Sequence, residues 1–402
     1  MKKILTLTLL VLVLFLMSGS LISCGGGETV TLNVYNWGEY ISDGSEDSLN
    51  VNKEFELYYY DTYGIKLKVN YTTYASNEDM YAKLKSGATS YDVIIPSDYM
   101  IERMIAEGML AELNFSNIPN YEHIVEEFKN QYYDPDNRYS IPYTYGMVGV
   151  IYNTTMVDEA DVGSWDLLWN EKYKGKILQF NNSRDAFGTS MYRLGIDVNT
   201  KDETQWRTAT EALKEQKPLV QSYVMDEIFN KMKGESGAIA PYYAGDFLSM
   251  YDANNNLAFF YPEEGTNVFV DAMCIPIDSR QKEIAECYIN FMLNHDIAVA
   301  NAEYICYASP HRQVIEDPEY IAYMESMHDD AMDILYPSYE VKSTYYQNLS
   351  PETLSLLNGL WEELKIESSG GEGVYIISAV IAVVLSVWFA YLFIRKKYRD
   401  NY

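Results

Sequence analysis

The chain has 402 residues, and its 58 Asp and Glu against 30 Lys and Arg leave a formal net charge of −28. That excess excludes nucleic acid as a partner, because a phosphate backbone is held by the positive side chains that neutralise it. It suits an extracellular body that draws in cations at long range, and 38 tyrosines supply polar-tipped rings for cores and wet pockets alike.

Met1-Lys2-Lys3 is a short basic start, Leu5 to Met17 is almost continuously apolar, and Leu21-Ile22-Ser23 leads into Cys24. This order of regions reads as a signal peptide over 1–23. Leu-Ile-Ser-Cys resembles the bacterial lipobox, which implies cleavage before Cys24 and lipidation of its thiol; an ordinary secretory signal with an incidental cysteine is the alternative. Residues 24–28, with Gly25-Gly26-Gly27, would then be a flexible tether.

The body follows, roughly 340 residues long and large enough for two lobes. Leu32 to Tyr35 is a predicted strand, and Asn36-Trp37-Gly38-Glu39-Tyr40 stands at its end, where open α/β sheets bind ligands. An indole and a phenol beside a carboxylate suit a flexible organic cation: the ring faces cover methylenes and the carboxylate pairs the ammonium. The alternative is that these are strand-end residues capping the core. Ser48 to Thr62 is a predicted helix that Gly64 ends, and Ile65 to Tyr71 a second strand. Asn77 is expected to cap a helix running to Lys85, with Glu78 and Asp79 in its favourable first turn. Tyr91 to Ile95 is a third strand, and Pro96-Ser97-Asp98 opens the next helix. Further strands are expected at Gly149 to Tyr152, Lys176 to Gln179 and Gly237 to Pro241, and helices at Asp202 to Glu215 and Lys282 to Leu293. This alternation predicts an α/β fold with a mostly parallel sheet covered on both faces.

No catalytic or metal-binding pattern emerges. His123, His295, His311 and His328 are scattered, and neither a GxSxG elbow nor a P-loop is present. Asp329-Asp330 reads as surface charge. Cys274, Cys287 and Cys306 match no metal or CxxC spacing and read as buried hydrophobes, with one disulfide left open. The chain is therefore read as a non-enzyme that calls for no cofactor and no metal.

At the C-terminal end, residues 367–373 are a Ser/Gly-rich linker. Val374 to Ile394 carries no charge and at about 1.5 Å per residue spans roughly 30 Å, a bilayer core. Arg395-Lys396-Lys397-Tyr398-Arg399 follows at once, which places a cytoplasmic tail at 395–402 and the body outside. A buried core helix is the alternative reading of 374–394. With Cys24, this transmembrane helix would make two anchors holding one body on the extracytoplasmic face of a cell membrane.

Several ordered motifs carry a resemblance. They are Asn36-Trp37-Gly38-Glu39-Tyr40, Tyr91-Asp92-Val93-Ile94-Ile95-Pro96-Ser97-Asp98-Tyr99, Ile141-Pro142-Tyr143 and Val150-Ile151-Tyr152-Asn153. Tyr173-Lys174-Gly175-Lys176-Ile177, Asn182-Ser183-Arg184-Asp185, Val270-Asp271-Ala272 and Glu303 to Pro310 follow. In this order, from about Val30 to Lys365, the chain resembles the spermidine/putrescine-binding proteins, the extracytoplasmic receptors of polyamine ABC transporters. The resemblance implies a two-lobed periplasmic-binding-protein fold of type II-like topology with a hinge. Lobe one would be 29–141 and 260–308, lobe two 142–258 and 312–366, with crossings near Pro142, Phe259 and Pro310. It implies a polyamine enclosed between the lobes and handed to ABC permease subunits. A membrane-anchored sensor for another small solute is the competing reading.

The same resemblance assigns roles. Trp37 and Tyr40 would be walls, with Glu39 near the entrance; Ser97 and Tyr99 would offer hydroxyls. Asp185 would pair a terminal ammonium and Asp271 another amine. Tyr243, Phe269 and Tyr307 occupy aromatic positions, and Gln347 would accept from an amine. There are departures: Asn182 stands where better-known spermidine binders carry aspartate, Asp185 where they carry glutamate, Phe269 and Tyr243 where they carry tryptophan, and Gly38 where they carry a hydroxyl residue. Each buried ammonium needs a carboxylate or several acceptors, so these departures bear on which polyamine is preferred.

Overall fold

A computed structural model describes residues 29–45, 47–338 and 340–366. The expected signal peptide, Cys24 with its tether, the 367–373 linker, the apolar span 374–394 and the basic tail lie outside the described residues. Among the described residues no helix is long and apolar enough to cross a membrane.

The first lobe is built from β1 (Val30–Trp37), α1 (Val51–Tyr63), β2 (Leu67–Tyr74), α2 (Asn77–Lys85), β3 (Val93–Ile94) and α3 (Asp98–Ala106). β1 pairs in parallel with β2 on one side and β3 on the other. α1 starts where the Asn50 side chain accepts from the Lys53 N–H and stops at Gly64, whose φ of 69° is the left-handed cap that glycine takes without strain. α2 corrects an expectation: Ser76, not Asn77, is its N-cap, with the Ser76 side chain accepting from the Asp79 N–H. That leaves the Asn77 amide free to bond elsewhere. β3 is shorter than the expected Tyr91 to Ile95.

The chain then enters β4 (Ser140–Asn153), followed by β5 (Ile177–Phe180), α4 (Ser183–Arg193), α5 (Glu203–Gln216), β6 (Val220–Val224), α6 (Glu227–Lys233), β7 (Ile239–Tyr243), α7 (Ala244–Ala253) and β8 (Leu257–Phe260). It returns through β9 (Thr266–Cys274), α8 (Lys282–Met292) and α9 (His295–Ile305), and β10 (Ser343–Tyr345) precedes a last helix over Pro351–Ile366. The strand order is β2-β1-β3-β9-β4-β7-β5-β6, with β10 against β9 and β8 against β4.

The sheet is mixed rather than mostly parallel. β9 runs antiparallel to β3 and β4, and β4 runs antiparallel to β7 and β8, while β5 is parallel to β6 and β7. The cause is the crossing itself. β4 and β9 carry the chain from one lobe to the other, so each enters its destination from the ligand-facing side and runs against that lobe's βαβ strands. The alternation of strand and helix patterns reports the βαβ units and is blind to these two crossings.

Two hydrophobic cores result. One gathers Leu32, Val34, Phe55, Ile94, Met273 and Tyr288; the other gathers Ile151, Leu178, Phe180, Phe187, Trp206 and Phe247. β4 gives Ile141 and Tyr143 to the first and Val150 and Ile151 to the second. α9 is shared too, with Ile297 and Ile305 in the first and Ala302 in the second. Each fully buried large side chain contributes about 1.5–3 kcal/mol. The architecture is thus two α/β lobes joined by shared strands. Cys274 and Cys306 are buried free thiols; Cys287, also free, is only half-buried, with its sulfur 3.9 Å from the Tyr63 hydroxyl.

Candidate functional site

Between the two cores lies a cavity whose lining is drawn from both lobes. Its lining is supplied by the chain as it leaves successive strands: Trp37 and Gly38 after β1, Ser76 to Glu78 after β2, Ser97 and Tyr99 after β3, Asn182 and Asp185 after β5, Met225 and Asp226 after β6, and Tyr243 and Asp246 at the end of β7 and beyond. The βα junctions of both lobes therefore face one another.

On the first lobe's side, the Trp37 indole N–H donates to the Ile95 carbonyl at 3.0 Å, which fixes the ring at the cavity wall. Glu39 takes a φ of 51° in the turn that follows, a left-handed conformation uncommon for glutamate. The Tyr40 hydroxyl donates to Asp271 Oδ2 at 2.6 Å and also meets the Thr144 hydroxyl. Tyr40 stands edge-on to Tyr307 with centroids 4.9 Å apart, and Tyr307 donates to Asp246 Oδ2 at 2.9 Å. The Asn77 amide donates to the Ser97 hydroxyl at 3.0 Å and the Tyr99 hydroxyl at 3.1 Å, and Tyr99 donates to Glu78 Oε1 at 3.0 Å.

On the other side, the Asn182 side-chain oxygen caps α4 by accepting from the Asp185 N–H at 2.8 Å, and its amide N–H donates to Asp185 Oδ2 at 2.8 Å. Tyr243 donates to the same oxygen at 2.7 Å. Phe269 stands edge-on to Tyr243 with centroids 5.3 Å apart. The Gly38 Cα lies so close to Asp226 that a Cβ there would stand 2.3 Å from Asp226 Oδ2.

Five carboxylates, Glu78, Asp185, Asp226, Asp246 and Asp271, line this cavity, and no lysine, arginine or histidine does among the described residues. Burial pushes Asp246 up to about 8 and Asp271 to about 6, and it raises Asp185, Glu78 and Asp226 as well. Hydrogen bonds from Tyr307 to Asp246, from Tyr40 to Asp271 and from Tyr243 to Asp185 work against that rise. Among the described residues the buried Asp271 Oδ1 and Asn267 Oδ1 have no partner in hydrogen-bonding geometry, although the Ser97 hydroxyl stands near enough to Asp271 to help hold its pKa down. Buried acceptors of this kind, walled by rings, are arranged for donors that carry positive charge.

The structure brings together Trp37, Tyr40, Ser97, Tyr99, Asn182, Asp185, Tyr243, Phe269, Asp271 and Tyr307. Glu39 lines an adjoining cavity that shares Met225, Asp226, Phe229 and Asp246 with the first. Gln347 is not brought to the cavity wall. Its side chain is exposed, its N–H donates to Asn199 Oδ1 and its carbonyl accepts from Arg184, while the preceding Tyr346 lines the cavity. Sequence reasoning missed Glu78, Asp226 and Asp246. A usable signal was present: Glu78 and Asp246 lie in the first turns of helices that directly follow strands.

The family model for bacterial extracellular solute-binding proteins matches residues 88–325. The spermidine/putrescine-binding periplasmic protein of Salmonella typhimurium is 33% identical over 308 residues, covering 76% of this chain and 84% of that protein. A solved structure titled as a putative spermidine/putrescine ABC transporter from Listeria monocytogenes superposes with a TM-score of 0.74 at 32% identity, covering 84% of this chain and 99% of that one. The substrate-binding protein of a spermidine/putrescine ABC transporter from Streptococcus pneumoniae gives a TM-score of 0.66 at 35% identity, with 84% and 99% covered.

Proposed function

The chain belongs to the bacterial extracellular solute-binding proteins, and from that membership we propose that it captures a polyamine between its two lobes and delivers it to an ABC transporter. The observation that carries this reading is the cavity's composition: five carboxylates and a wall of aromatic rings, with no cationic side chain in its lining among the described residues. Ammonium groups would find the carboxylates, and the methylenes between them would lie against Trp37, Tyr40, Tyr243, Phe269 and Tyr307. Each cation–ring contact is worth about 0.5–2 kcal/mol. The family is one of receptors, not of enzymes.

In this reading Asp271 holds one amine and Asp185 a terminal one, Ser97 and Tyr99 offer hydroxyl oxygens, and Glu39 sits at the mouth. Residues 29–141 with 260–308 act as one lobe and 142–258 with 312–366 as the other, hinged near Pro142, Phe259 and Pro310. The body works on the extracytoplasmic face, held by a lipid on Cys24 and by the span 374–394, with 395–402 in the cytoplasm. The second anchor keeps the receptor beside its permease. Intact-mass measurement of the mature N-terminus tests the lipid, and co-purification with the permease with and without 374–394 tests the span.

Titration calorimetry of the full chain in detergent, freed of bound amine by extensive dialysis, tests the central reading. Putrescine, cadaverine, spermidine and spermine are the probes. One-to-one binding of at least one is the expected result; a folded protein that binds none of the four refutes it.

A further inference from the structure

We propose that a terminal ammonium of the bound amine is clamped between Glu78 and Asp185, one carboxylate from each lobe, so that Glu78 supplies the second negative charge that position 182 lacks. The inference deepens the polyamine reading and rests on it.

The geometry around Asn182 leaves it no charge and little acceptor capacity to offer an amine. Its oxygen is used in capping α4 and its N–H groups point to Asp185 Oδ2 and the Met225 sulfur, at 2.8 and 3.6 Å. An ammonium needs acceptors, and this amide, with one lone pair already given to the helix N–H, offers at most a single neutral acceptor and no charge. Asp185 alone on this lobe therefore presents a full negative charge at this end of the cavity.

Glu78 approaches the same end from α2. Its carboxylate takes the Tyr99 hydroxyl, the Tyr99 ring stands edge-on to Tyr346 at 6.1 Å, and the Tyr346 hydroxyl faces Asp185 closely enough to help hold that carboxyl down. One aromatic wall thus joins the two carboxylates. Arg184 stands behind this wall, its guanidinium 4.5 Å from the Tyr346 ring centroid and donating to the Val198 carbonyl at 3.0 Å, Asn199 Oδ1 at 2.9 Å and the Gln347 carbonyl at 3.2 Å; its charge holds both carboxyls down, but burial prevails and both stay raised. Among the described residues neither Glu78 nor Asp185 forms an ion pair, and both line one cavity, so a ligand ammonium is the group that satisfies both. A clamp that spans the lobes also ties binding to closure, because two like charges brought together from opposite lobes resist approach until a cation lies between them.

The test is a cycle in the full chain: wild type, Glu78→Gln, Asn182→Asp and the double variant, titrated with spermidine and putrescine, with a melting curve for each to establish folding. Glu78→Gln is expected to weaken the amine that wild type binds by about thirtyfold or more. Asn182→Asp puts a carboxylate beside Asp185, so the double variant is expected to return to within about fivefold of wild type. A merely structural Glu78 would not be rescued from position 182. Glu78→Gln binding as wild type does, or a double variant no better than Glu78→Gln, overturns the clamp while leaving the receptor reading intact. A wild type that binds no amine removes both.

Discussion

Asp271→Asn separates binding from folding in a way that a purely structural aspartate would not. Asp271 Oδ2 receives the Tyr40 hydroxyl at 2.6 Å, Oδ1 has no hydrogen-bonded partner among the described residues, and burial, only partly opposed by the Ser97 and Tyr40 hydroxyls, lifts its pKa from 3.8 to about 6. That gap corresponds to roughly 3 kcal/mol of preference for the neutral form. The sign follows from proton linkage. Between about pH 4 and 6 the folded chain holds a proton that the unfolded chain has released, so this group's contribution to stability falls as pH rises through that window and stays low above it. An amide of the same shape escapes the penalty, although its N–H groups gain no acceptor, which returns about half of the benefit. The empty variant should therefore be more stable than wild type by about 1–2 kcal/mol at pH 8, a few degrees in melting temperature, and indistinguishable from it below about pH 4. Polyamine affinity should fall by about thirtyfold or more, since a buried cation loses its partner. Melting curves at pH 4 and 8 without amine, and titration at pH 8 with it, test both halves. A variant that melts lower than wild type at pH 8, or binds as tightly, refutes the assignment.

Three further outcomes are expected. Asp246, raised to about 8 by burial, is largely protonated at neutral pH in the empty protein; polyamine binding at pH 7 should release a proton from it, so the calorimetric enthalpy should vary with the buffer's heat of ionisation, and Asp246→Asn should abolish that dependence. Tyr40→Phe keeps the ring and removes the donor to Asp271, pushing that carboxyl further up; the affinity loss should be several-fold at pH 6 and small at pH 8, and equal losses at both would contradict the hydrogen bond's role. Gly245→Ala places a methyl 2.3 Å from a Tyr307 ring atom, so the ring must move away from Tyr40 and Asp246; a loss of about tenfold in affinity is expected, and unchanged binding would mean that Tyr307 is not a wall.

Much of this was legible in the residues because strand ends are legible. The pattern that marks β1 also marks its end, and Trp37 and Tyr40 follow from that alone; Ser97 and Asp185 sit at equivalent junctions. The mixed sheet was not legible, because the directions of β4 and β9 are set by which lobe each strand enters and leave no trace in local periodicity. Asp226 was hidden for a different reason. It lines the cavity because glycine at 38, on the opposite lobe, leaves room for its carboxylate, and a contact between residues so far apart in sequence has no local signature. Glu78 was read as a favourable first-turn charge of α2, which it is. That it also faces a cavity depends on Ser76 taking the cap and on Tyr99 reaching back to bond it.

The carboxylates that make the cavity attractive to an amine also make its enclosed form costly without one. Burial raises the pKa of all five, and the protein compensates with hydroxyl donors, from Tyr40, Tyr99, Tyr243 and Tyr307, rather than with cations. A neutral donor offsets only part of a buried charge's desolvation, whereas an ammonium offsets far more. The difference is energy that ligand can supply and the polypeptide cannot, so the enclosed arrangement should be favoured in proportion to the number of ammonium groups that find carboxylates. An amine too short to reach both Asp185 and Asp246 would leave one of them buried without a cation. Preference among polyamines should accordingly follow the spacing of their charges along the path from Asp185 past Asp271 to Asp246, and length alone, without charge at the far end, should gain nothing.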